Sequence, residues 1–154
     1  MISVLFVCHG NICRSPMAEF LFKDYLNKKG VLDKFYVDSK ATSREEIGNP
    51  VHHGTRKVLD KYNIDYSHKR ASQIDKYDYN KFDYIIAMDE YNMYNIERIF
   101  GKDVNNKVTL LLSYAGLSRD ISDPWYTGNF EATYSDVVEG CKGFIEYLKA
   151  EGRL

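Results

Sequence analysis

Residues 4–19 read VLFVCHGNICRSPMAE, and the architecture of the chain can be inferred outward from them. The apolar run 4–7 predicts a strand that is covered on both faces, as in a parallel sheet. Ser15 and Pro16 are typical of a helix start, where proline is favoured in the first turn. The residues between these two elements therefore form a short loop that leads from the end of a strand into the N-terminus of a helix.

The loop from Cys8 to Arg14 is suited to binding an anion. Backbone N–H groups at a strand-to-helix turn point inward, and the helix dipole adds partial positive charge at the same place. Arg14 adds a planar guanidinium that donates to two oxygens of a phosphate at once. Gly10 and Asn11 suit the positive φ angles that such a turn requires. The sequence thus predicts a phosphate site in this loop.

Cys8, at the start of the loop, is the predicted nucleophile. The amides and Arg14 around its thiol favour the thiolate form, which is the reactive one. Taken alone, a cysteine here is also consistent with a small buried apolar residue, and a Cys-x5-Arg-Ser spacing also occurs by chance. Its place directly after a strand and before a helix favours the functional interpretation.

The composition narrows the class of protein. The chain has 154 residues, of which 44% are hydrophobic and 28% charged, so we expect one globular domain over residues 1–154. A net charge of −1 predicts neither nucleic acid nor an anionic membrane as a partner. The chain shows neither a signal-like segment nor a membrane-length apolar run, and its three cysteines are too few for a disulfide framework. We therefore expect a cytoplasmic protein.

Apolar strands alternate with amphipathic helices along the chain. Strands are predicted at Ile2–Val7, Phe35–Ser39, Tyr84–Met88 and Val108–Leu112, and helices over about 16–29, 50–62, 90–100 and 134–148. This alternation predicts an α/β fold, a three-layer sandwich with a central four-stranded parallel sheet. Ligands of such sheets bind beyond the carboxyl ends of the strands, which is where the Cys8 loop would lie.

A thiolate that attacks a phosphate ester expels an alkoxide or phenoxide, which needs a proton from a nearby acid. Two carboxylic acids, Asp120 and Asp123, follow the fourth predicted strand. Asp123 precedes Pro124, and Asp-Pro is also a common turn dipeptide. From the residues alone, both aspartates remain candidates for the acid.

The run from Val7 to Glu19 resembles the signature loop of the low-molecular-weight protein tyrosine phosphatases, and the length of the chain agrees with that family. The dipeptide Asp123-Pro124, followed by two aromatic residues, is similar to the family's general-acid loop. The resemblance implies a flavodoxin-like fold of the phosphotyrosine protein phosphatase I type. It also implies a monomer that needs neither metal nor cofactor and that hydrolyses phosphotyrosine in proteins, and small aryl phosphates, to inorganic phosphate.

The resemblance assigns a role to each member of the predicted site. Cys8 would attack phosphorus to give a phosphocysteine, Arg14 would bind the phosphate, and Asp123 would serve as general acid and then general base, with Asp120 as the fallback. Substrate contacts are implied for the loop residues and for two aromatic residues beside the acid, namely His9, Gly10, Asn11, Ile12, Cys13, Ser15, Trp125 and Tyr126.

Four further residues have roles that the resemblance suggests. Phosphoarginine phosphatases of this fold usually have threonine where this chain has Ile12, so Ile12 favours tyrosine. Cys13 would form a reversible disulfide with Cys8, although a packed small residue is an equally good interpretation. Ser39 would contact the signature loop, although it could also be only a strand-end turn. Asp89 is either a helix cap or a carboxylate that supports the site, and the cap is favoured.

Other residues are predicted from their position in the pattern. The resemblance places His9 and Glu45 at the rim of the predicted cleft, where this chain departs from many members of the family. Cys141 lies in an apolar helical stripe and is expected in the core. His52 and His53 are adjacent in sequence, a spacing unsuited to a metal pair on a helix, and are expected to be solvated helix residues.

Two other functions were considered. An arsenate reductase of this fold needs further cysteines to relay a disulfide, and residues 14–140 contain none. A phosphotyrosine-binding module without turnover would not need a nucleophile and an acid together, yet Cys8, Arg14 and Asp123 are all present. Both alternatives are therefore disfavoured.

Overall fold

The computed structural model describes all residues, 1–154, and contains one four-stranded parallel sheet. The strands are β1 (Ile2–Cys8), β2 (Phe35–Ala41), β3 (Tyr84–Ala87) and β4 (Val108–Leu110), in the order β2-β1-β3-β4. Every neighbouring pair is parallel. The predicted α/β architecture with a four-stranded parallel sheet is confirmed, and β1 lies inside the sheet with a partner on each side.

Six helices surround the sheet. They are α1 (Arg14–Lys28), α2 (His53–Asp60), α3 (Asp78–Lys81), α4 (Glu90–Phe100), α5 (Pro124–Thr127) and α6 (Phe130–Ala150), with two 3-10 turns at Leu32–Lys34 and Leu111–Ala115. None of them combines the length and the apolar character that crossing a membrane requires.

The side chains of β1 alternate between two cores, as the period of a strand requires. Phe6 faces one core, where it meets Phe22 of α1 edge-on and where α6 also packs. Leu5 faces the other core together with Ile96 of α4. Because both faces of β1 are buried, its continuous apolar run was a reliable signal for a strand in the middle of a parallel sheet. Cys141 belongs to the first core, as expected.

Three local differences from the predicted elements have physical causes. Helix α2 begins at His53 because the side chain of His52 caps it, whereas the sequence pattern predicted a start near Pro50. Strand β4 ends at Leu110 because the chain turns there into a 3-10 helix. The short helix α5 was not predicted; the side chain of Asp123 caps it and a proline occupies its first turn.

The loops that follow β1, β2 and β3 meet at the carboxyl edge of the sheet. The backbone N–H of Thr42, just after β2, donates to the carbonyl oxygen of Cys8 at 3.0 Å. The N–H of Ile121 donates to the carbonyl oxygen of Met88, just after β3, at 2.9 Å. These contacts bring segments that are distant in sequence to the end of β1, where the predicted site lies.

Candidate active site

The loop between β1 and α1 closes through one left-handed residue. Asn11 has a φ of 59°, so the prediction of a positive φ is correct for Asn11. Gly10 does not have a positive φ, and the prediction is wrong there. A Cβ added at Gly10 would lie 3.3 Å from Cγ of Glu46, so this glycine packs closely against the next loop, and a larger residue would require a small shift of the Glu46 side chain.

The sulfur of Cys8 lies inside this loop and is surrounded by hydrogen-bond donors. The backbone N–H groups of Asn11 and Ser15 donate to Sγ at 3.3 and 3.4 Å. The hydroxyl of Ser15 is 3.1 Å from the same sulfur. These donors are placed to stabilise negative charge that develops on the sulfur.

A buried network determines which way the Ser15 hydroxyl points. Asn11 Nδ2 donates both to Ser15 Oγ at 2.8 Å and to Ser39 Oγ at 2.9 Å. Since Ser15 Oγ accepts this bond, its own proton is available for the sulfur of Cys8. Asn11 Oδ1 in turn accepts from the backbone N–H of Ser72 at 3.2 Å. The side chain of Asn11 therefore connects three segments behind the nucleophile.

The same network continues into a buried ion pair. Ser39 Oγ donates to Glu19 Oε1 at 2.7 Å, and Lys69 Nζ lies 2.9 Å from that carboxylate oxygen. Lys69 Nζ also donates to Asp38 Oδ1 at 2.9 Å. Glu19, Ser39 and Lys69 are all buried, and their partners offset the cost of removing these groups from water. The predicted contact of Ser39 with the signature loop is thus seen in the bond from Asn11.

Arg14 is almost fully buried, and its guanidinium is held from two sides. Nη1 donates to Asp89 Oδ2 at 2.7 Å and to the carbonyl oxygen of Ile121 at 2.8 Å. Burial alone would lower the pKa of Arg14, but the negative charges of Cys8 and Asp89 outweigh it and raise that pKa above its ordinary value. Arg14 Nε has no hydrogen-bond partner within the protein, which leaves a buried donor for an oxyanion.

Asp89 has both of the roles that the sequence left as alternatives. Oδ1 accepts from the backbone N–H of Asn92 at 2.7 Å and completes a capping box at the start of α4. Oδ2 accepts from Arg14. The preference for a cap over a supporting carboxylate was therefore too narrow.

Asp123 lies beside Arg14. The distance between Asp123 Oδ2 and Arg14 Nη2 is 3.4 Å. The other carboxylate oxygen, Oδ1, accepts from the backbone N–H of Trp125 at 3.1 Å. Asp120 instead accepts from the backbone N–H of Glu90 at 3.1 Å and does not line the cleft, so the geometry favours Asp123 as the acid.

A cleft with a cavity volume of about 110 Å³ opens above the loop. It is lined by Cys8, His9, Gly10, Ile12, Cys13, Arg14, Glu45, Glu46, Asp123, Trp125 and Tyr126. Most of the predicted site residues therefore share one cleft. Asn11 and Ser15 do not line it; their buried side chains lie beneath the loop, behind Cys8, and their contacts with substrate stay a prediction.

The rim of the cleft contains the two residues that were singled out in the sequence. His9 Nε2 lies 2.8 Å from Glu45 Oε2, so the loop after β1 is connected to the loop after β2. On the opposite side Trp125 and Tyr126 are 57% and 83% exposed. Their rings are therefore accessible to a substrate that enters the cleft.

Cys13 lines the same cleft as Cys8 but differs from it chemically. Burial, reinforced by the negative charges of Cys8 and Asp123, raises the pKa of the Cys13 thiol far above its usual value. In the core, burial raises the pKa of Cys141 to about 12. Both thiols therefore stay protonated at neutral pH.

Several supporting residues could not be found from the sequence. Lys69 is buried behind Ser39, and His52 is partly buried against Trp125 rather than solvated as predicted. Lys69 and Ser39 are more than 25 residues apart in sequence, and His52 and Trp125 are more than 70 apart. No local sequence pattern shows these contacts. No group of three or more His, Cys, Asp or Glu side chains is placed to hold a metal ion.

A cysteine sulfur surrounded by donors, a buried arginine and an aspartate at the carboxyl edge of a parallel sheet form a site suited to phosphoryl transfer. Comparison with known proteins agrees with this geometry. Residues 3–154 match the family described as low molecular weight phosphotyrosine protein phosphatase. The chain belongs to this family.

Individual relatives match over their whole length. The chain is 42% identical to the low molecular weight protein-tyrosine-phosphatase YfkJ of Bacillus subtilis, with all of both chains covered. The crystal structure of YfkJ superposes with a TM-score of 0.94 over 98% of this chain and 96% of that one. The low molecular weight protein-tyrosine-phosphatase PtpA of Staphylococcus epidermidis is 40% identical, with 100% of this chain and 98% of PtpA covered. DARP, a Drosophila arginine phosphatase, is 31% identical, with a TM-score of 0.85 over 95% and 97% of the two chains.

The double role of Asp89 can be tested by replacing it with asparagine, which caps a helix about as well as aspartate. We expect Asp89→Asn to lower kcat/KM for p-nitrophenyl phosphate about tenfold, because a charge-assisted bond to Arg14 contributes roughly 1.5–3 kcal/mol. Asp89→Ala loses the cap as well and should unfold more easily than Asp89→Asn by about 1 kcal/mol in urea. An unchanged or higher kcat/KM for Asp89→Asn would contradict the orienting role.

The difference between the cysteines predicts selective alkylation. Because the thiolate is the reactive form, iodoacetate at neutral pH should modify Cys8 and leave Cys13 and Cys141 unlabelled. Inorganic phosphate should slow the reaction by occupying the site. Peptide mapping by mass spectrometry checks this, with Cys8→Ser as the unlabelled control. Labelling of Cys13 at a comparable rate would show that its thiol is not held protonated.

Proposed function

We propose that this chain hydrolyses phosphotyrosine in proteins through a phosphocysteine intermediate. Cys8 is the nucleophile, Arg14 binds the phosphate, and Asp123 is the general acid and then the general base. The observation that carries the proposal is the convergence of these three side chains in one cleft, with Arg14 hydrogen-bonded from behind and Asp123 Oδ2 at 3.4 Å from it.

In the first step, Arg14 and the loop amides bind the phosphate oxygens. The Cys8 thiolate attacks phosphorus, and the bond between phosphorus and the tyrosine oxygen breaks as the S–P bond forms. Asp123, protonated at this stage, gives its proton to the departing phenolate oxygen. Arg14 and the amides stabilise the charge on the equatorial oxygens throughout.

In the second step, Asp123 is a carboxylate and takes a proton from water as the water attacks the phosphocysteine. The S–P bond breaks, inorganic phosphate forms, and Cys8 returns as the thiolate that the Ser15 hydroxyl and two backbone amides stabilise. Every proton and charge is supplied by residues of this chain together with water. The proposed chemistry therefore proceeds without a metal or a cofactor.

The walls of the cleft support an aryl substrate. Trp125 and Tyr126 present exposed rings beside Asp123, and aromatic rings stack favourably on one another. As part of the same proposal, the protein acts as a monomer, since one chain supplies all the residues of the cleft. It acts in the cytoplasm, where a reducing environment keeps Cys8 from being oxidised.

Reversible oxidation of the same site is a further part of the proposal. Peroxide converts the Cys8 thiolate to a sulfenic acid, and condensation with the Cys13 thiol forms a disulfide and releases water. The negative charge of Cys8 contributes to the raised pKa of Cys13, and the neutral sulfenic acid removes that contribution. Burial remains the larger cause of that raised pKa, so the proposed disulfide is supported mainly by the position of both cysteines in one cleft.

Two substitutions test the proposed roles with phenyl phosphate and p-nitrophenyl phosphate. Cys8→Ser should be inactive with both while still binding inorganic phosphate. Asp123→Ala should lower kcat/KM for phenyl phosphate by about a hundredfold or more, and for p-nitrophenyl phosphate by far less, because a good leaving group needs little protonation. An equal decrease of kcat/KM for both substrates in Asp123→Ala would contradict the acid role of Asp123. A wild-type protein that is inactive under reducing conditions would contradict the proposal that the protein is a phosphatase.

Phosphoarginine is the second substrate to consider, because a relative that is 31% identical is an arginine phosphatase. Ile12 lines the cleft and is almost fully buried, so its side chain contacts whatever group enters. We expect a phosphotyrosine peptide to be hydrolysed faster than a phosphoarginine peptide of matched sequence. Ile12→Thr should reduce the ratio of these two rates.

The control for the Ile12 experiment is Ile47→Thr, since Ile47 is exposed on a neighbouring loop and does not line the cleft. This variant should leave the ratio unchanged. Initial rates of phosphate release measure both substrates in one assay. A wild-type protein that prefers phosphoarginine would overturn the assignment to tyrosine.

A further inference from the structure

His52 contacts both loops that form the active site, although it does not line the cleft. Its backbone N–H donates to the carbonyl oxygen of Ile12, in the loop after β1, at 2.9 Å. Its imidazole meets the indole of Trp125 edge-on, with ring centroids 5.5 Å apart and planes at 74°. One residue therefore connects the phosphate-binding loop with the segment that contains the acid.

The imidazole of His52 is held from two further directions. Nδ1 accepts from the backbone N–H of Gly54 at 3.0 Å and so caps α2. The face of the ring stacks on Phe130, at the start of α6, at 5.1 Å and 13°. A Cβ at Gly54 would lie 2.4 Å from the Phe130 ring, which shows how closely α2 and α6 pack here. The ring of His52 cannot rotate without losing the cap and the stack together.

His52 acts as a neutral ring in this position. Burial, together with the neighbouring charges of His53 and Arg56, lowers the pKa of His52, while Glu46 and Asp123 act more weakly in the opposite direction. The cap to Gly54 also requires an unprotonated Nδ1. The contact with Trp125 is therefore one of shape and aromatic packing rather than of charge.

The position of Trp125 bears directly on the acid. Its backbone N–H donates to Asp123 Oδ1 at 3.1 Å, so the two residues move together. The indole is 57% exposed, and α5, which contains it, is only four residues long. So short a helix contributes little stability of its own. The edge-on contact between His52 and Trp125 therefore helps to hold α5 in place.

We propose that His52 is a positioning residue for the general acid, which fixes Trp125 and thereby holds Asp123 beside Arg14. This inference rests on the proposed function, because it assumes that Asp123 donates the proton. It assigns the imidazole two separable tasks, the cap of α2 and the packing of the acid segment. The two tasks call for different replacements.

Two variants separate these tasks. His52→Asn keeps a good N-cap but removes the ring, whereas His52→Phe keeps a ring against Trp125 but removes the cap. We expect His52→Asn to lower kcat/KM for phenyl phosphate about tenfold and for p-nitrophenyl phosphate less than about twofold, because only the poor leaving group depends strongly on the acid. His52→Phe should keep the wild-type ratio of the two rates and lose thermal stability. The matched control is His68→Asn, because His68 is exposed, meets Phe20 rather than Trp125 and does not line the cleft; it should leave both rates unchanged.

A double variant shows whether His52 acts through Asp123. In the Asp123→Ala protein, adding His52→Asn should cause no further loss with phenyl phosphate, because the group that it positions is already absent. A further loss of the same size as in the wild type would overturn the proposal. The proposal would also be overturned if His52→Asn slowed both substrates equally. It would be overturned as well if the ratio of the two kcat/KM values changed in His52→Phe but stayed at its wild-type value in His52→Asn.

These outcomes differ from a failure of the proposed function. If Asp123→Ala shows no leaving-group dependence, the acid role itself is wrong, whatever His52 does. Inhibition by inorganic phosphate should be equal in the wild type and His52→Asn, which checks that the phosphate loop is intact. Thermal unfolding, monitored by circular dichroism, shows whether each variant is folded. If either His52→Asn or His52→Phe is unfolded, the other one tests whether His52 positions the acid.

Discussion

The bonds that hold the buried guanidinium of Arg14 are the interaction on which the site depends. A charge removed from water is costly unless it is paired and hydrogen-bonded, and Arg14 has both kinds of partner in Asp89 and the carbonyl oxygen of Ile121. Asp89 follows β3 and Ile121 follows β4, so the arginine is in place only when the sheet is complete. The fold thus prepares a fixed positive charge before any substrate arrives, which is the arrangement that favours catalysis by electrostatic stabilisation.

The two cysteines of the cleft show how position within one loop sets chemistry. Cys8, at the end of β1, accepts from two backbone amides and faces the hydroxyl of Ser15. Cys13, five residues later, packs with Ile12 and Ala71, and burial, with the negative charges of Cys8 and Asp123, raises the pKa of its thiol. Identical side chains in one loop therefore have different surroundings, hydrogen-bond donors around Cys8 and buried apolar packing around Cys13. The network behind Cys8, built on Asn11, extends this control into the interior.

The part of the molecule that could be predicted is the part encoded by local pattern. The apolar run of β1 and the loop from Cys8 to Arg14 are contiguous, so strand, loop and helix start can be read together. Asp123 needed more than its Asp-Pro context, because that dipeptide is also an ordinary turn. The bond between Arg14 and Asp89 and the contact of His52 with Trp125 join residues far apart in the chain. No periodicity or spacing shows such contacts, which arise only from the packing of the finished sheet.

The partners of the loop after β1 also show that the site depends on the whole chain. The hydrogen bonds that fix Asn11 and Arg14 span 28, 61, 75 and 107 residues. Contacts of such long range close large loops, so they depend on the packing of distant segments rather than on local sequence. A nascent or partly folded chain would therefore possess the whole Cys8 loop in sequence and yet lack a working site. Catalytic competence therefore requires the complete sheet, since a chain that ends before Ile121 would lack one of the two groups that hold Arg14.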